Sequence, residues 1–514
     1  MADSRQLFLP DGPLARAHPG YETRPGQMEM ADAVQQALTQ EHILLCEAGT
    51  GTGKTIAYLL PALLSGKKIV VSTATRALQD QLVNHDVPLA EEVLGRRVRV
   101  VVMKGLSNYL CLRRYAEARA SEQALTPSWR LKLGAIESWR EESEAGDLSE
   151  LAGIPEGDPV LAAVRSSSET RIGPKCPHHA ECFVTRLKQA AESAELIITN
   201  HHLFFADLAL RGPHPGRVLP HYDAAIFDEA HQLEDVATLF FGVRVTKRRI
   251  DTLVQDAARL HRTDDEEDSP EQRASDATAR FFDELLTRTS REDPRRRLEP
   301  DDWAGEMQRR YLDLDTKLDA IEALAERRAM PSGGESEADD GDFRSWDAIS
   351  RRARALRDAL ATIVEGAPGR VTWLENDSKA PVLSSSAVDV SEILRERLFN
   401  TVPSVVLTSA TLTTSPARVG SSDELSPFAF TRGRLGAYEC ETEVRELVVD
   451  SPFDFAARAL LYVPRGLPAP NDASFIERAQ EEIRELVEAS DGGAFVLTTS
   501  LRSMRALHDA LSRT

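Results

Sequence analysis

The stretch EAGTGTGKT at 47–55 lies between the apolar runs 43–46 and 56–60, and no other feature restricts the fold so tightly. Gly49, Gly51 and Gly53 admit main-chain angles and close approaches that a Cβ forbids, so consecutive N–H groups can surround an anion. A strand must deliver such a loop and a helix must follow it, because the helix N-terminus adds its own partial positive charge. Ala48 to Thr55 fit the phosphate-loop pattern, with Ala48 in place of the first glycine and Thr50 and Thr52 at variable positions. In that pattern Lys54 meets the β- and γ-phosphates, and the Thr55 hydroxyl ligates Mg²⁺.

Short β-branched apolar runs recur at 43–46, 68–72, 98–103, 196–200, 224–228 and 405–409. Runs of this kind predict strands buried on both faces, so the expected fold is an α/β doubly wound parallel sheet with its chemistry at the strand C-terminal ends. About 90 residues separate the third run from the fourth, and more separate 228 from 405, which no ordinary loop spans. Two inserts are therefore expected. The second, from about 236 to 400, has helical spacing throughout and two acidic stretches, at 264–272 and 331–342, that read as solvated loops. A chain of 514 residues exceeds one core, so two to four domains are expected.

The formal net charge of −20 gives no overall basic footprint for nucleic acid, although a local groove is compatible with it. No window long and apolar enough to span a membrane is present, and the start MADSRQLFLPDGPL lacks the features of a signal peptide. A cytoplasmic protein, nucleoid-associated if bacterial, is the expectation. Five cysteines do not form a disulfide framework. Cys46 and Cys440 read as structural; Cys111, Cys176 and Cys182 share one polar region.

DEAH at 228–231 ends another apolar run, where a second nucleotide motif belongs. Asp228 can hold the Mg²⁺ shell while Glu229 orients and deprotonates water, two acids being needed because one is occupied by metal. A module that only bound nucleotide would have no use for Glu229. Lys54, Asp228, Glu229 and His231 are the candidate catalytic residues.

EAGTGTGKT, DEAH and VVLTSATL (405–412) together resemble the motifs of superfamily 2 helicases, and further matches narrow the resemblance to the XPD-like iron–sulfur group, DinG branch. YETRPGQMEMADAV (21–34) resembles that family's adenine-side motif, which implies base recognition by Arg24 and Gln27. VVSTATRALQDQL resembles motif Ia, VMKGLSNYLC the entry to the cluster domain, ITNHHLFF the exit from it, and SPFDF (451–455) the linker to a second motor lobe. The resemblance implies an ATP-dependent DNA helicase moving 5′ to 3′ on single strands, acting on forked or structured DNA in repair or replication. Ser409, Ala410 and Thr411 would relay nucleotide state to the DNA groove. Ser72, Thr73 and Arg76, with Lys104 and Tyr109, would contact DNA through phosphate donors and a stacking face.

The implied domains are a RecA-like first lobe (1–105, 196–235 and 401–435), a small helical cysteine-bearing insert (106–195), a helical arch (236–400) and a partial second RecA-like lobe (436–514). In cluster-bearing relatives a fourth cysteine precedes the positions matched by Cys176 and Cys182; Arg171 stands there. Arginine does not ligate iron, so a [4Fe–4S] cluster would need His178 or His179, or an open iron site. Zinc on three Cys and one His, or a metal-free insert, are the alternatives. The family continues through motifs V and VI and an arginine worth about 10³–10⁵ in rate, whereas this sequence stops after GAFVLTTSLRSMRAL and a few further residues. Weak turnover by this chain alone, or a non-catalytic nucleotide- or DNA-binding module, is therefore a second expectation.

Overall fold

The structure is a computed structural model that describes residues 3–167, 171–211, 217–261, 269–288, 295–329, 339–366, 369–377, 380–414 and 426–512. The chain forms two compact units, Met1–Pro452 and Phe453–Thr514.

The first unit is built on a seven-stranded sheet: β1 (Ile43–Ala48), β2 (Ile69–Thr73), β3 (Val100–Val102), β4 (Leu196–Asn200), β5 (Ala224–Asp228), β10 (Ser404–Ser409) and β11 (Val444–Val449). All neighbours are parallel, in the order β11-β1-β10-β5-β2-β4-β3. The expected runs became strands because their Val, Ile and Leu side chains are covered on both faces. One face packs on Met30, Leu38, Tyr58 and Leu60; the other on Phe204, Phe205, Leu398 and Phe399. Phe227 of β5 lies edge-on to Phe204 with ring centroids 4.7 Å apart. Its truncation to alanine is expected to cost about 3–5 kcal/mol.

β3 is shorter than the predicted 98–103 because it is an edge strand, paired only with β4 and half-buried. β11 was not expected. It pairs with β1 from Ile43↔Val444 to Ala48↔Val449, and its Arg445 and Glu446 disguise it among polar sequence. Residues up to Pro452 thus belong with the first sheet, whereas a second lobe was expected to begin at 436.

The cysteine-bearing insert is helical, with the helices Leu112–Ala120, Pro127–Glu142 and Phe183–Ser193 among its elements. Its small core includes Leu110, Tyr115, Ile136, Val160, Leu161 and Phe183. The second insert departs from the all-helical expectation. Its helices Lys247–His261, Pro270–Leu286, Glu306–Arg328 and Asp339–Glu365 cover an antiparallel sheet in the order β6-β9-β8-β7, made of β6 (Val243–Thr246), β7 (Arg295–Leu298), β8 (Arg370–Asp377) and β9 (Ala380–Ala387). Its strands are rich in Arg, Ser and Thr because one sheet face is polar, so they carry no continuous apolar signal. Of the acidic stretches, 264–268 and 331–338 lie outside the described residues; the remainder starts the helices at Pro270 and Asp339.

The second unit contains the helices Phe455–Arg458, Phe475–Ala489 and Leu501–Leu511, and no strand among its described residues. Leu460 and Phe495, in runs that suit lobe strands, are 93% and 95% exposed.

Candidate nucleotide site at the C-terminal edge of the sheet

β10 lies between β1 and β5, so the phosphate loop, the DEAH turn and the segment after Ser409 emerge side by side. The loop's shape follows from its glycines. Gly51 and Gly53 adopt φ of 85° and 78°, left-handed angles that disfavour a side chain. A Cβ on Gly53 would also stand 2.3 Å from Gln27 Nε2. Thr52 Oγ1 donates to Gly49 O at 2.6 Å, closing the loop on itself. Lys54 begins the helix Lys54–Leu64, and its ammonium donates to Ala48 O at 3.4 Å, so its charge stays over the loop.

Arg24 and Gln27 brace this loop from behind. Arg24 Nη1 donates to Gly51 O, and Gln27 Nε2 donates to Gly53 O at 3.1 Å. Gln27 Oε1 is buried and has no hydrogen-bond partner, leaving an acceptor free beside the loop. Both residues line an open cavity of about 360 Å³ with Thr23, Thr52, Asp450 and Pro452.

Asp228 is only 5% exposed. It accepts from Tyr58 Oη at 3.1 Å and from the Glu229 N–H at 3.0 Å. Burial, reinforced by the Glu229 charge, pushes its carboxyl up to about 6, while Tyr58 and the Lys54 ammonium pull the other way. A carboxylate held there without a counter-ion of its own suits a cation site. Glu229 has φ of 57°, a left-handed angle that turns its side chain from the strand. Ser409 Oγ donates to Glu229 Oε2 at 3.2 Å, and His231 Nδ1 lies 2.8 Å from Ser409 Oγ and 3.3 Å from Glu229 Oε2. Thr411 N–H donates back to Ser409 Oγ at 3.3 Å, with Ala410 between them. The structure therefore brings together residues from the three separate motifs.

The five residues expected to contact DNA differ in exposure. Ser72 and Thr73 are fully buried at the end of β2; Ser72 Oγ lies 2.8 Å from His201 Nδ1, and Thr73 Oγ1 donates to Thr75 O. Tyr109 is 2% exposed, and its hydroxyl accepts the Lys104 main-chain N–H. Lys104 Nζ pairs with Asp147 at 2.7 Å, both side chains being largely covered. Lys104 and Tyr109 hold the insert to the sheet. Arg76 alone of the five presents a half-exposed side chain, reaching Asn108 and Glu156.

The insert's three cysteines supply one thiolate fewer than a four-iron cluster normally takes. Among the described residues no three His, Cys, Asp or Glu side chains form a metal-binding group, and Arg171 stands where a fourth thiolate would be needed. Burial opposes ionisation of Cys182, yet hydrogen bonds from Thr185 and the Arg171 charge bring its thiol below the ordinary value.

Two residues in the site were not anticipated. Glu47, the acid between the apolar strand and the glycines, accepts from the main-chain N–H groups of Leu412 and Thr413. His201, the first residue after β4, is fully buried, and burial brings its imidazole down to about 4, which keeps it neutral. An acid or an imidazole at the polar end of a buried strand was the available signal for both.

The DEAD/DEAH box helicase family model matches residues 25–123. The chain is 33% identical over 508 residues to "ATP-dependent DNA helicase YoaA" of Escherichia coli (strain K12), covering 99% of this chain and 76% of that protein. It is 32% identical over 543 residues to "ATP-dependent helicase DinG" of Mycobacterium tuberculosis (strain ATCC 25618 / H37Rv), with the same coverage, 99% and 76%. A solved XPD helicase aligns with a TM-score of 0.48 at 13% identity, over 95% of this chain and 74% of that one. Likeness of this extent to YoaA, running through the phosphate loop, the DEAH turn and the segment after β10 alike, shows that the chain belongs to the YoaA and DinG family of ATP-dependent DNA helicases.

Proposed function

We propose that this chain couples ATP hydrolysis to 5′→3′ movement along single-stranded DNA and opens forked or structured duplexes during repair or replication in the cytoplasm, at the nucleoid. The observation that carries the reading is the hydrogen-bonded set Glu229, Ser409 and His231, which joins the hydrolytic acid to the strand between the two nucleotide motifs. Direction and DNA structure rest on the motif resemblance. No helix among the described residues is long and apolar enough to cross a membrane.

In this reading the triphosphate lies on the loop N–H groups, and Lys54 exchanges Ala48 O for a phosphate oxygen. Gln27 Oε1, with its vacant lone pairs, accepts from the adenine amino group, and Arg24 keeps the loop in shape. Asp228 and the Thr55 hydroxyl would hold Mg²⁺, which when bound neutralises developing phosphate charge. Glu229 takes the proton of the attacking water, its carboxylate aimed by Ser409 and His231. After phosphate release the contacts of Ser409 and Thr411 change, and the change passes along β10. Arg76 provides a phosphate contact for DNA. Cys111, Cys176 and Cys182 would hold a [4Fe–4S] cluster only with His178 or His179 as fourth ligand or with one iron left open, and no step is routed through it.

The test is ATP hydrolysis by the full chain with and without single-stranded DNA. Wild type should hydrolyse faster with DNA, and Glu229→Gln should bind ATP while losing about 10²–10⁴ in rate. A wild-type rate indifferent to DNA refutes the motor.

A further inference from the structure

Glu47 and Ser409 are register partners at the ends of β1 and β10. Ser409 points its hydroxyl to the DEAH acid, whereas Glu47 engages the next turn of the same segment. Its Oε2 accepts from Leu412 N–H at 2.6 Å and Thr413 N–H at 2.7 Å, and Thr413 Oγ1 lies 2.9–3.0 Å from both carboxylate oxygens. On the far side of this turn Thr431 Oγ1 donates to Leu412 O. The segment that carries Ser409, Ala410 and Thr411 is thus pinned by a carboxylate only two residues before Gly49, the first glycine of the phosphate loop.

We propose that Glu47 is a positioning residue: it ties the turn after β10 to the root of the phosphate loop, so that filling the loop with nucleotide alters the order of residues 409–413. The proposal deepens the ATPase reading and rests on it. Its physical basis is that two main-chain N–H donors converge on one anionic oxygen, an arrangement stronger than neutral hydrogen bonds and stripped of its charge when the acceptor becomes an amide. A displacement at Gly49 is transmitted along two residues of a strand locked on both edges, by β10 and by β11. Glu47 itself touches neither phosphate nor water in this scheme.

The experiment follows amide hydrogen exchange of Leu412 and Thr413 in the full chain, with and without ATPγS. In wild type the two amides should exchange slowly, and more slowly with ATPγS. In Glu47→Gln they should exchange at least about tenfold faster and cease to respond, while ATPγS affinity stays within about threefold. A protein held together by Glu47 for stability alone would lose its melting temperature and its nucleotide affinity together. Should Glu47→Gln not fold, Thr413→Val removes only the hydroxyl contact and is expected to weaken the response by about threefold. Wild-type exchange and an undiminished ATPγS response in the variant that folds overturn the proposal. Single-stranded oligothymidylate, added in a parallel hydrolysis assay, tests the motor reading by itself. A wild-type rate unmoved by it sinks that reading, while the exchange result still decides the role of Glu47.

Discussion

The Tyr58 hydroxyl donates to Asp228 Oδ2 across 3.1 Å, joining the second turn of the phosphate-loop helix to the end of β5, although 170 residues separate the two. This contact eases the burial of a carboxylate but does not cancel it, since the Asp228 carboxyl still lies near 6 against an ordinary 3.8. The native value is raised, so this group's contribution is most favourable below about 4 and turns adverse as pH rises through 6. In nucleotide-free, Mg²⁺-free protein, Asp228→Asn should therefore be more stable than wild type at pH 7.5, by on the order of 3 kcal/mol. The gain should vanish as pH falls towards 4. Denaturant unfolding at several pH values measures both, and equal stability of the two proteins at neutral pH would contradict the prediction.

His231 is the outer member of the set that aims Glu229. Its removal in His231→Ala leaves the acid and the phosphate loop intact but takes one of three partners from the Ser409 hydroxyl, which keeps Glu229 and the Thr411 N–H. The expected result is a drop of about tenfold in the DNA-stimulated hydrolysis rate, with ATP affinity little changed. Steady-state kinetics with and without DNA decides this, and an equal loss in both conditions would assign His231 to the chemistry alone.

Arg76 and Tyr109 should separate in their effects. Arg76→Ala should weaken single-stranded DNA binding and reduce the slope of log affinity against log salt by about 0.7. Tyr109→Ala should instead destabilise the protein by about 3–5 kcal/mol, as loss of a buried aromatic does. A fluorescence anisotropy titration at several salt concentrations, paired with unfolding curves, distinguishes the two. A Tyr109→Leu protein that folds normally but loses DNA would show that the ring is a stacking face.

The cysteine-bearing insert has its own core around Tyr115, Ile136 and Val160. Its melting should be insensitive to chelator, and Cys176→Ser should shift stability by less than about 1 kcal/mol, whereas Ile136→Ala should cost about 2–5 kcal/mol. A cooperative loss of helicity on chelation would reverse this ordering.

Much of the sheet was legible because its strands are local and apolar on both faces: 196–200 and 224–228 coincide with β4 and β5. The phosphate loop and DEAH were legible for a related reason, each being a contiguous stretch whose chemistry requires neighbours in sequence. The antiparallel sheet of the second insert was not, because strands such as Arg295–Leu298 alternate faces and use arginine on the open one. Nor were the long contacts: Glu47 meets Thr413 across 366 residues, and nothing local in either segment signals the other. The surroundings of Lys104 and Tyr109 were hidden for the same reason, since nothing beside the motif signals the ion pair with Asp147 or the burial of the ring.

β10 also acts as a ruler. Because one strand is interposed between those that carry the phosphate loop and DEAH, their ends are held about 9.5 Å apart, twice the spacing between neighbouring strands. That gauge is set by main-chain hydrogen bonds, which side-chain substitutions other than to proline leave in place. Drift in sequence can therefore retune how the site communicates while leaving its width untouched.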